Sequence, residues 1–285
     1  GNGQDGLHLA YSCNGLNWKP LNNGASLLTP MVGKDRLMRD PSITRGKDGL
    51  FHMVWTTGWW DRHIGYASSP DLIHWSEQRT IPVMGHEPET RNSWAPELFY
   101  DEADDLFYIV WASTVSGKFP EIATSEREKG LNHRQYAVTT RDFVTFSDTK
   151  LFFDPGFSVI DAAIIRQDGK YWMIVKNENS APAEKNLRVV FTDDLKKGFP
   201  ATVSENISGD TWAEGPAPLR VGEYIYVYFD KYTEKKYGAI RSRDGLVWED
   251  VSEQITFPLG TRHGTAFRIN RKEWNNIKEL TNHEK

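Results

Sequence analysis

The feature of this 285-residue sequence that most constrains its fold is an internal repeat of about fifty residues. In each copy, small and β-branched residues lead through a turn containing Asp or Asn to an aromatic residue. The aromatic residues that close the copies are Trp18, Trp75, Phe146, Phe199 and Trp248. A repeat of this length is typical of the blades of a β-propeller.

Strand-like segments alternate with the aromatic residues that close the repeats. Runs rich in β-branched and aromatic residues, with apolar alternation, cover residues 50–56, 106–112, 171–175 and 224–229. Ahead of each run, and once more near the C-terminus, a short segment with small or charged residues predicts a first strand; these segments are residues 39–43, 94–98, 159–163, 214–218 and 263–267, and all but 159–163 contain Pro or Gly. Five units of three strands, each with a connecting fourth, predict an all-β protein, a five-bladed β-propeller that forms a single catalytic domain over residues 1–285.

The two ends of the chain are expected to share the last blade. The unit that opens at His263 has no second strand after it, and the segment that ends at Trp18 has no strand ahead of it. We therefore expect residues 263–269 to pair in one sheet with residues 7–12. Because Gly1 is not an initiator Met and no signal-peptide pattern follows it, we also expect that the N-terminus was trimmed and that one more strand of this blade preceded it.

Two further segments lie outside the repeats. The spacing of Trp274, Ile277 and Leu280 predicts a short C-terminal helix. An insertion over residues 113–134, rich in Ser, Glu and Lys, is expected to build part of the rim that selects the ligand.

Composition narrows the classes of ligand. The 34 basic and 39 acidic residues give a net charge of −5, and the basic residues are scattered, which disfavours a nucleic acid or an anionic membrane as partner and favours a neutral or small ligand. No apolar run is long enough for a transmembrane helix. The single cysteine, Cys13, cannot form an intrachain disulfide, and no Cys/His cluster has zinc spacing.

Three acidic residues lie in the predicted first strands. In a propeller these strands run along the central channel, so residues near their equivalent ends meet at one mouth. Asp40, Asp161 and Glu214 are assigned to that equivalent position. Carboxylates gathered in one pocket raise the pKa of at least one of them, and glycoside hydrolysis needs one carboxylate as base or nucleophile and another as acid. The three acids therefore predict a glycosidase site.

The order of the short motifs resembles glycoside hydrolase family 43. The resemblance extends over nearly the whole chain and rests on Asp40-Pro41, Trp94-Ala95-Pro96-Glu97, Ile160-Asp161, Glu214-Gly215-Pro216 and His263-Gly264. It implies a hydrolase that inverts the anomeric centre of arabinofuranosyl or xylosyl units in plant polysaccharides or oligosaccharides. It also implies that Asp40 is the general base, Asp161 adjusts pKa and orientation, and Glu214 is the general acid.

Other expectations follow from the same resemblance. No cofactor is required, but a calcium ion or a water cluster is implied in the channel beside His263, and a secreted or periplasmic location is implied by the substrates. Calcium prefers oxygen ligands, so a hydrogen-bonded His263 is favoured over direct ligation, and no residue is assigned as a metal ligand.

Residues around the first strands are expected to contact a neutral oligosaccharide or polysaccharide. Tryptophans in neighbouring loops could stack on sugar rings, and polar residues could bind hydroxyl groups. The candidates are Trp60, Trp94, Trp212, Glu97, Arg262 and His263. A surface role for Arg262 is as well supported as a binding role. Taken alone, Asp40 could be a turn residue and Asp161 a buried acceptor.

Competing hypotheses share the propeller. A retaining fructosidase would carry Asn before its Asp-Pro and Cys after its acid, whereas Arg39 and Gly215 stand at those places. A phosphorylase would need a phosphate cradle, which no motif supplies. A β-galactosidase specificity and a catalytically silent carbohydrate-binding propeller stay open, because fold does not fix function.

Overall fold

The computed structural model describes residues 2–120, 124 and 130–283. Two short strands, β1 (Ala10–Tyr11) and β2 (Lys19–Pro20), pair near the N-terminus. Four antiparallel sheets then follow in chain order. They contain β3 (Arg39–Arg45), β4 (Phe51–Thr56), β5 (Ile64–Ser69) and β6 (Arg79–Ile81); β7 (Trp94–Asp101), β8 (Leu106–Ser113), β9 (Arg134–Thr140) and β10 (Lys150–Phe153); β11 (Val159–Gln167), β12 (Lys170–Asn177) and β13 (Asn186–Thr192); and β14 (Glu214–Val221), β15 (Tyr224–Lys231), β16 (Lys236–Ser242) and β17 (Glu249–Asp250).

Short 3₁₀ turns and one helix complete the described elements. The turns lie at Asn22–Gly24, Leu195–Lys197 and Ser252–Gln254, and the helix is α1 (Arg271–His283). The helix confirms the one predicted from the C-terminal apolar spacing. None of the helices described is both long and apolar enough to cross a membrane.

The four sheets are the blades of a propeller. Their first strands, β3, β7, β11 and β14, contact one another in sequence, and together with residues 263–267 they line a central cavity of about 190 Å³. The predicted first and second strands are thus confirmed in four units. The sequence predicts five blade sheets, and the described part of the chain forms four of them. Residues 263–267, the predicted first strand of the fifth blade, line the channel without forming a strand.

The expected pairing of residues 263–269 with residues 7–12 is wrong. Ala10–Tyr11 pairs with β2 instead, and residues 263–269 belong to no sheet of the described structure. The two segments meet through apolar side chains in one cluster that includes Leu9, Tyr11, Phe267 and Ile269. Such side-chain packing replaces the backbone ladder, which requires strands about 4.8 Å apart.

Hydrogen bonds explain the repeated turn after each third strand. In the first blade, Ser69 Oγ accepts from Leu72 N at 2.8 Å, and Asp71 Oδ1 accepts from Ile73 N at 2.9 Å. Trp75 Nε1 then donates to the carbonyl oxygen of Leu72 at 3.1 Å. The same pattern recurs at Ser12, Asn14 and Trp18 and at Ser242, Asp244 and Trp248. The repeat seen in the sequence is therefore a turn stabilised by its own side chains.

The core lies between adjacent sheets. Along β4, Val54 packs toward the second sheet, beside Trp111, whereas Met53 and Trp55 pack on the opposite face of their strand. Both faces of β4 are covered in this way, and its sequence is accordingly mostly apolar rather than alternating. Each fully buried side chain of this kind contributes roughly 1.5–3 kcal/mol to stability.

The insertion over residues 113–134 falls partly outside the described residues. Residues 113–120, 124 and 130–134 are described, whereas residues 121–123 and 125–129 are not. The prediction that the insertion builds part of the rim therefore lies partly outside the described residues.

Candidate active site

The first strand of each blade is interrupted by an irregularity at the mouth of the channel. The pairing shifts in β3 between Arg39 and Ser42, and corresponding shifts occur in β7, β11 and β14. One residue in each shift adopts a positive φ; these residues are Asp40 (φ 50°), Ala95 (φ 46°), Asp161 (φ 53°) and Gly215 (φ 61°). A bulge re-aims the side chain that it carries, and the bulge is therefore what directs the aspartates.

This geometry corrects the assumed equivalence of the three acids. Asp40 and Asp161 occupy the same position of their bulges, but Glu214 precedes that position, which Gly215 holds. Glu214 is the counterpart of Arg39, the residue before the bulge. The third carboxylate therefore approaches the mouth from a different backbone position.

Asp40 is kept ionised by its neighbours. Thr56 Oγ1, at the end of β4, donates to Asp40 Oδ2 at 3.0 Å, and His263 Nδ1 lies 3.4 Å from Asp40 Oδ1. Burial favours the neutral acid, but the hydrogen bond and the charge of His263, with a smaller contribution from Arg39, outweigh it and lower the pKa of Asp40.

Asp161 lies in the opposite electrostatic situation. Burial raises its pKa to about 6; the charges of His263 and Lys176 oppose this, while those of Glu214 and Asp40 add to it. Gly215 N donates to Asp161 Oδ2 at 2.9 Å, which ties Asp161 to the residue that follows Glu214.

His263 connects the two aspartates. Its Nδ1 lies 3.9 Å from Asp161 Oδ2, besides its contact with Asp40. Burial alone would lower the pKa of His263, but Asp161 and Asp40 together raise it to about 9. A histidine that is cationic at neutral pH therefore stands between the two carboxyl groups.

Glu214 faces two cations. Lys176 Nζ, at the end of β12, donates to Glu214 Oε2 at 3.2 Å, and a terminal guanidinium nitrogen of Arg262 lies 3.8 Å from Glu214 Oε1. Arg262 Nε is closer to Asp230 Oδ2, at 2.9 Å. Burial raises the pKa of Asp230 to about 6, although Arg262 opposes the shift.

Exposed tryptophans border the same mouth. The side chains of Trp59 and Trp60 are 38% and 48% exposed, and Trp94 packs beside both, with ring centroids 5.8 Å and 6.0 Å away. Trp94 Nε1 donates to the carbonyl oxygen of Trp59 at 2.8 Å, which fixes the Trp94 ring. Trp212 is also partly exposed and lies 6.1 Å from the ring of Tyr232. Exposed aromatic faces of this kind can stack on the rings of a ligand.

Glu97 lies in the channel, with both carboxyl oxygens engaged by protein. Ser42 Oγ donates to Glu97 Oε2 at 2.8 Å, and Ile164 N donates to Glu97 Oε1 at 3.0 Å. Burial raises the pKa of Glu97 to about 7, against the opposing hydrogen bonds. Glu97 thus joins β7 to β3 and β11, the strands that carry Asp40 and Asp161.

Sequence reasoning missed the residues at the ends of the second strands. Thr56, Lys176 and Asp230 each follow an apolar run and reach the mouth from β4, β12 and β15. The signal that could have found them is a buried polar residue that closes an otherwise apolar strand, since such a residue needs a partner.

His263 Nδ1 is engaged by carboxylate groups of the protein. It lies 3.4 Å from Asp40 Oδ1 and 3.9 Å from Asp161 Oδ2, and calcium prefers oxygen ligands to a histidine nitrogen. Within residues 2–120, 124 and 130–283, no group of three His, Cys, Asp or Glu side chains is arranged to hold a metal ion.

A family model and a curated relative match this chain. A family model described as a "Probable glycosyl hydrolase domain", of the group related to family 43, matches residues 1–275. An α-L-arabinofuranosidase of Bifidobacterium longum subsp. longum is 25% identical over 186 residues, which are 58% of this chain and 17% of that enzyme. The chain therefore matches less than a fifth of the length of this curated relative.

Solved structures share the fold at low identity. The α-L-arabinofuranosidase from Lactobacillus brevis is 16% identical with a TM-score of 0.56, over 75% of this chain and 72% of that one. The xylan β-1,4-xylosidase from Bacillus halodurans is 20% identical with a TM-score of 0.55, over 78% and 42%. The exo-β-1,3-galactanase from Phanerochaete chrysosporium is 11% identical with a TM-score of 0.57, over 86% and 54%.

Proposed function

Because the chain belongs to glycoside hydrolase family 43, we propose that it hydrolyses arabinofuranosyl or xylosyl linkages of plant polysaccharides or oligosaccharides by a single displacement with inversion. The observation that carries this proposal is the meeting of three carboxyl groups at one mouth of the channel. His263 Nδ1 lies 3.4 Å from Asp40 Oδ1 and 3.9 Å from Asp161 Oδ2, and Asp161 accepts a hydrogen bond from the residue that follows Glu214. Glycoside hydrolysis needs one carboxyl group as base and another as acid in one pocket.

Asp40 is the general base of this mechanism. Its ionised carboxylate takes a proton from a water molecule, and the water oxygen bonds to the anomeric carbon. Thr56 and His263 hold the two oxygens of the carboxylate through separate contacts, so its orientation is set before the substrate arrives.

Glu214 is the general acid. Its proton passes to the glycosidic oxygen as the bond to the anomeric carbon breaks. Asp161 supports this step as a positioning residue, because it accepts a hydrogen bond from the backbone N–H of Gly215. When ionised, it also places a negative charge beside Glu214. The sugar would rest against Trp60 and Trp94 at the mouth.

The test is proton NMR of the anomeric signals during hydrolysis. We would incubate the protein with the nitrophenyl glycosides of α-L-arabinofuranose, β-D-xylose and β-D-galactose. Turnover of the arabinofuranoside or the xyloside, with the inverted anomer as first product, is expected. Glu214→Gln and Asp40→Asn should lower turnover of the corresponding oligosaccharide by at least about 100-fold, whereas Glu223→Gln, an exposed residue of the same hairpin, should not.

Any other result of this experiment would support a competing hypothesis. A first product with retained anomeric configuration would indicate a fructosidase-like double displacement. Turnover of the β-galactoside alone would indicate a β-galactosidase specificity in place of the arabinofuranosyl or xylosyl specificity. Binding of oligosaccharides without turnover of any of them would indicate a carbohydrate-binding propeller and would overturn the proposal.

A further inference from the structure

Lys176 is a buried cation in direct contact with the proposed general acid. Its side chain is 3% exposed, and its Nζ donates to Glu214 Oε2 at 3.2 Å. The same Nζ lies 4.7 Å from the ring centre of Tyr232 and 2.8 Å from Glu178 Oε2. Burial would favour the neutral amine, but the surrounding carboxylates raise the pKa of Lys176, so it stays charged.

Lys176 bridges two carboxylates. Its Nζ lies 2.8 Å from Glu178 Oε2 and 3.2 Å from Glu214 Oε2. Glu178 also contacts a second lysine, since Lys185 Nζ lies 2.8 Å from Glu178 Oε1. The titratable groups that face Lys176 from neighbouring elements are Glu178, Glu214, Asp161 and Tyr232.

Arg262 is the second cation near Glu214, but it is directed elsewhere. It lies 2.9 Å from Asp230 and 3.8 Å from Glu214, and its side chain is about half exposed, so water screens it. Lys176 is closer to Glu214 and shielded from solvent, and a cation in such surroundings acts more strongly on a nearby charge.

We propose that Lys176 is a positioning residue that acts through Glu214, holding its carboxyl group and stabilising the negative charge that forms on it as its proton leaves. The inference rests on the proposed function, in which Glu214 protonates the leaving oxygen. As the glycosidic C–O bond breaks, the oxygen takes that proton, while Asp40 takes one from the attacking water. Glu214 thus changes from neutral to anionic beside a preorganised cation.

This role predicts a dependence on the leaving group. A dinitrophenolate leaves without protonation, whereas an alkoxide needs the general acid. Loss of Lys176 should therefore slow the hydrolysis of a methyl or benzyl glycoside far more than that of the dinitrophenyl glycoside of the same sugar. A change that merely loosened the fold would slow both reactions equally.

The experiment compares kcat/KM for these two glycosides of the sugar that the wild-type protein turns over. In Lys176→Met we expect a fall of about 100-fold for the alkyl glycoside and less than about threefold for the dinitrophenyl glycoside. Lys176→Arg should restore most of the loss. Lys231→Met serves as the control, because Lys231 is also a largely buried strand lysine but pairs with Asp250. The ratio of the two constants does not depend on how much of a variant is folded.

A further readout separates positioning from packing. In the Glu214→Gln background, Lys176→Met should leave the leaving-group ratio unchanged, as expected for residues that act as one unit.

An equal fall on both glycosides, or no change on either, would overturn the role of Lys176 while leaving the glycosidase proposal intact. Absence of turnover by the wild-type protein on every glycoside and oligosaccharide would overturn the proposed function, and this inference with it.

Discussion

At the scale of single residues, identical backbone positions carry different chemistry. Asp40 and Asp161 share the same bulge position and nearly the same φ, 50° and 53°. The pKa of Asp40 is nevertheless lowered, chiefly by His263 against burial, while burial raises that of Asp161 to about 6. The neighbours of a carboxyl group, rather than its type, therefore decide its protonation state.

Glu97 provides a test of this principle through stability. Burial raises its pKa to about 7, from 4.5 for an ordinary glutamate. The folded state then binds the proton more tightly than the unfolded state, so the free energy of unfolding should fall as pH rises from about 4.5 to about 7. In Glu97→Gln this contribution is absent. We expect the variant to gain on the order of 1–3 kcal/mol relative to the wild type between these pH values, measured by urea unfolding.

Glu102→Gln, at an exposed position, is the matched control for Glu97→Gln and should follow the wild-type pH dependence. Parallel curves for the wild type and Glu97→Gln would contradict a raised pKa at Glu97.

At the scale of elements, the bulge at the start of each first strand positions the site. Proline follows the positive-φ residue in β3, β7 and β14, at Pro41, Pro96 and Pro216. Proline cannot donate to the strand ladder, and it is tolerated at bulges for that reason. Gly215 has a further constraint, because a Cβ there would lie 2.5 Å from His263 Cγ.

Gly215→Ala should therefore damage catalysis. The added methyl group displaces His263 from Asp40 and Asp161, and we expect kcat/KM to fall by at least about 100-fold. Gly222→Ala is a matched control on the same hairpin, with the same φ of 61° and no atom within 4 Å of a Cβ. That control should lose about 1 kcal/mol of stability and keep its activity. Equal activity of the two variants would show that the contact with His263 does not matter.

At the scale of the whole molecule, apolar packing joins the two ends of the chain. Trp274 of α1 contacts Tyr11 of β1 at a ring-centroid distance of 4.5 Å, and Ile277 is buried in the same cluster, which also contains residues of the first blade. The helix thus helps to hold the first and last segments where the backbone ladder predicted between them is absent from the described structure.

Ile277→Ala tests this closure. The side chain is 3% exposed, so its truncation should cost about 2–4 kcal/mol in the free energy of unfolding, measured by urea denaturation. Asn276→Ala, on the exposed face of the same helix, should change stability by no more than about 0.5 kcal/mol. A loss below about 1 kcal/mol for Ile277→Ala would mean that the helix does not hold the ends together.

The blade pattern, the positions of first and second strands and the C-terminal helix could be derived from the sequence, because each depends on local periodicity. The apolar run that ends at Thr56 and the turn at Ser69–Trp75 predict their own conformations through side chains near in sequence. Asp40, Asp161 and Glu214 were found for a related reason: the order of repeats brings corresponding strand ends to one mouth.

Only the tertiary structure decided the rest. The cationic state of His263 and the contact of Lys176 with Glu214 depend on residues from different blades. The exchange of a backbone ladder for side-chain packing at residues 263–269 likewise depends on how the chain ends meet. Sequence periodicity specifies which residues form strands, whereas distances of a few ångströms between blades determine charge states, and no local pattern encodes those distances.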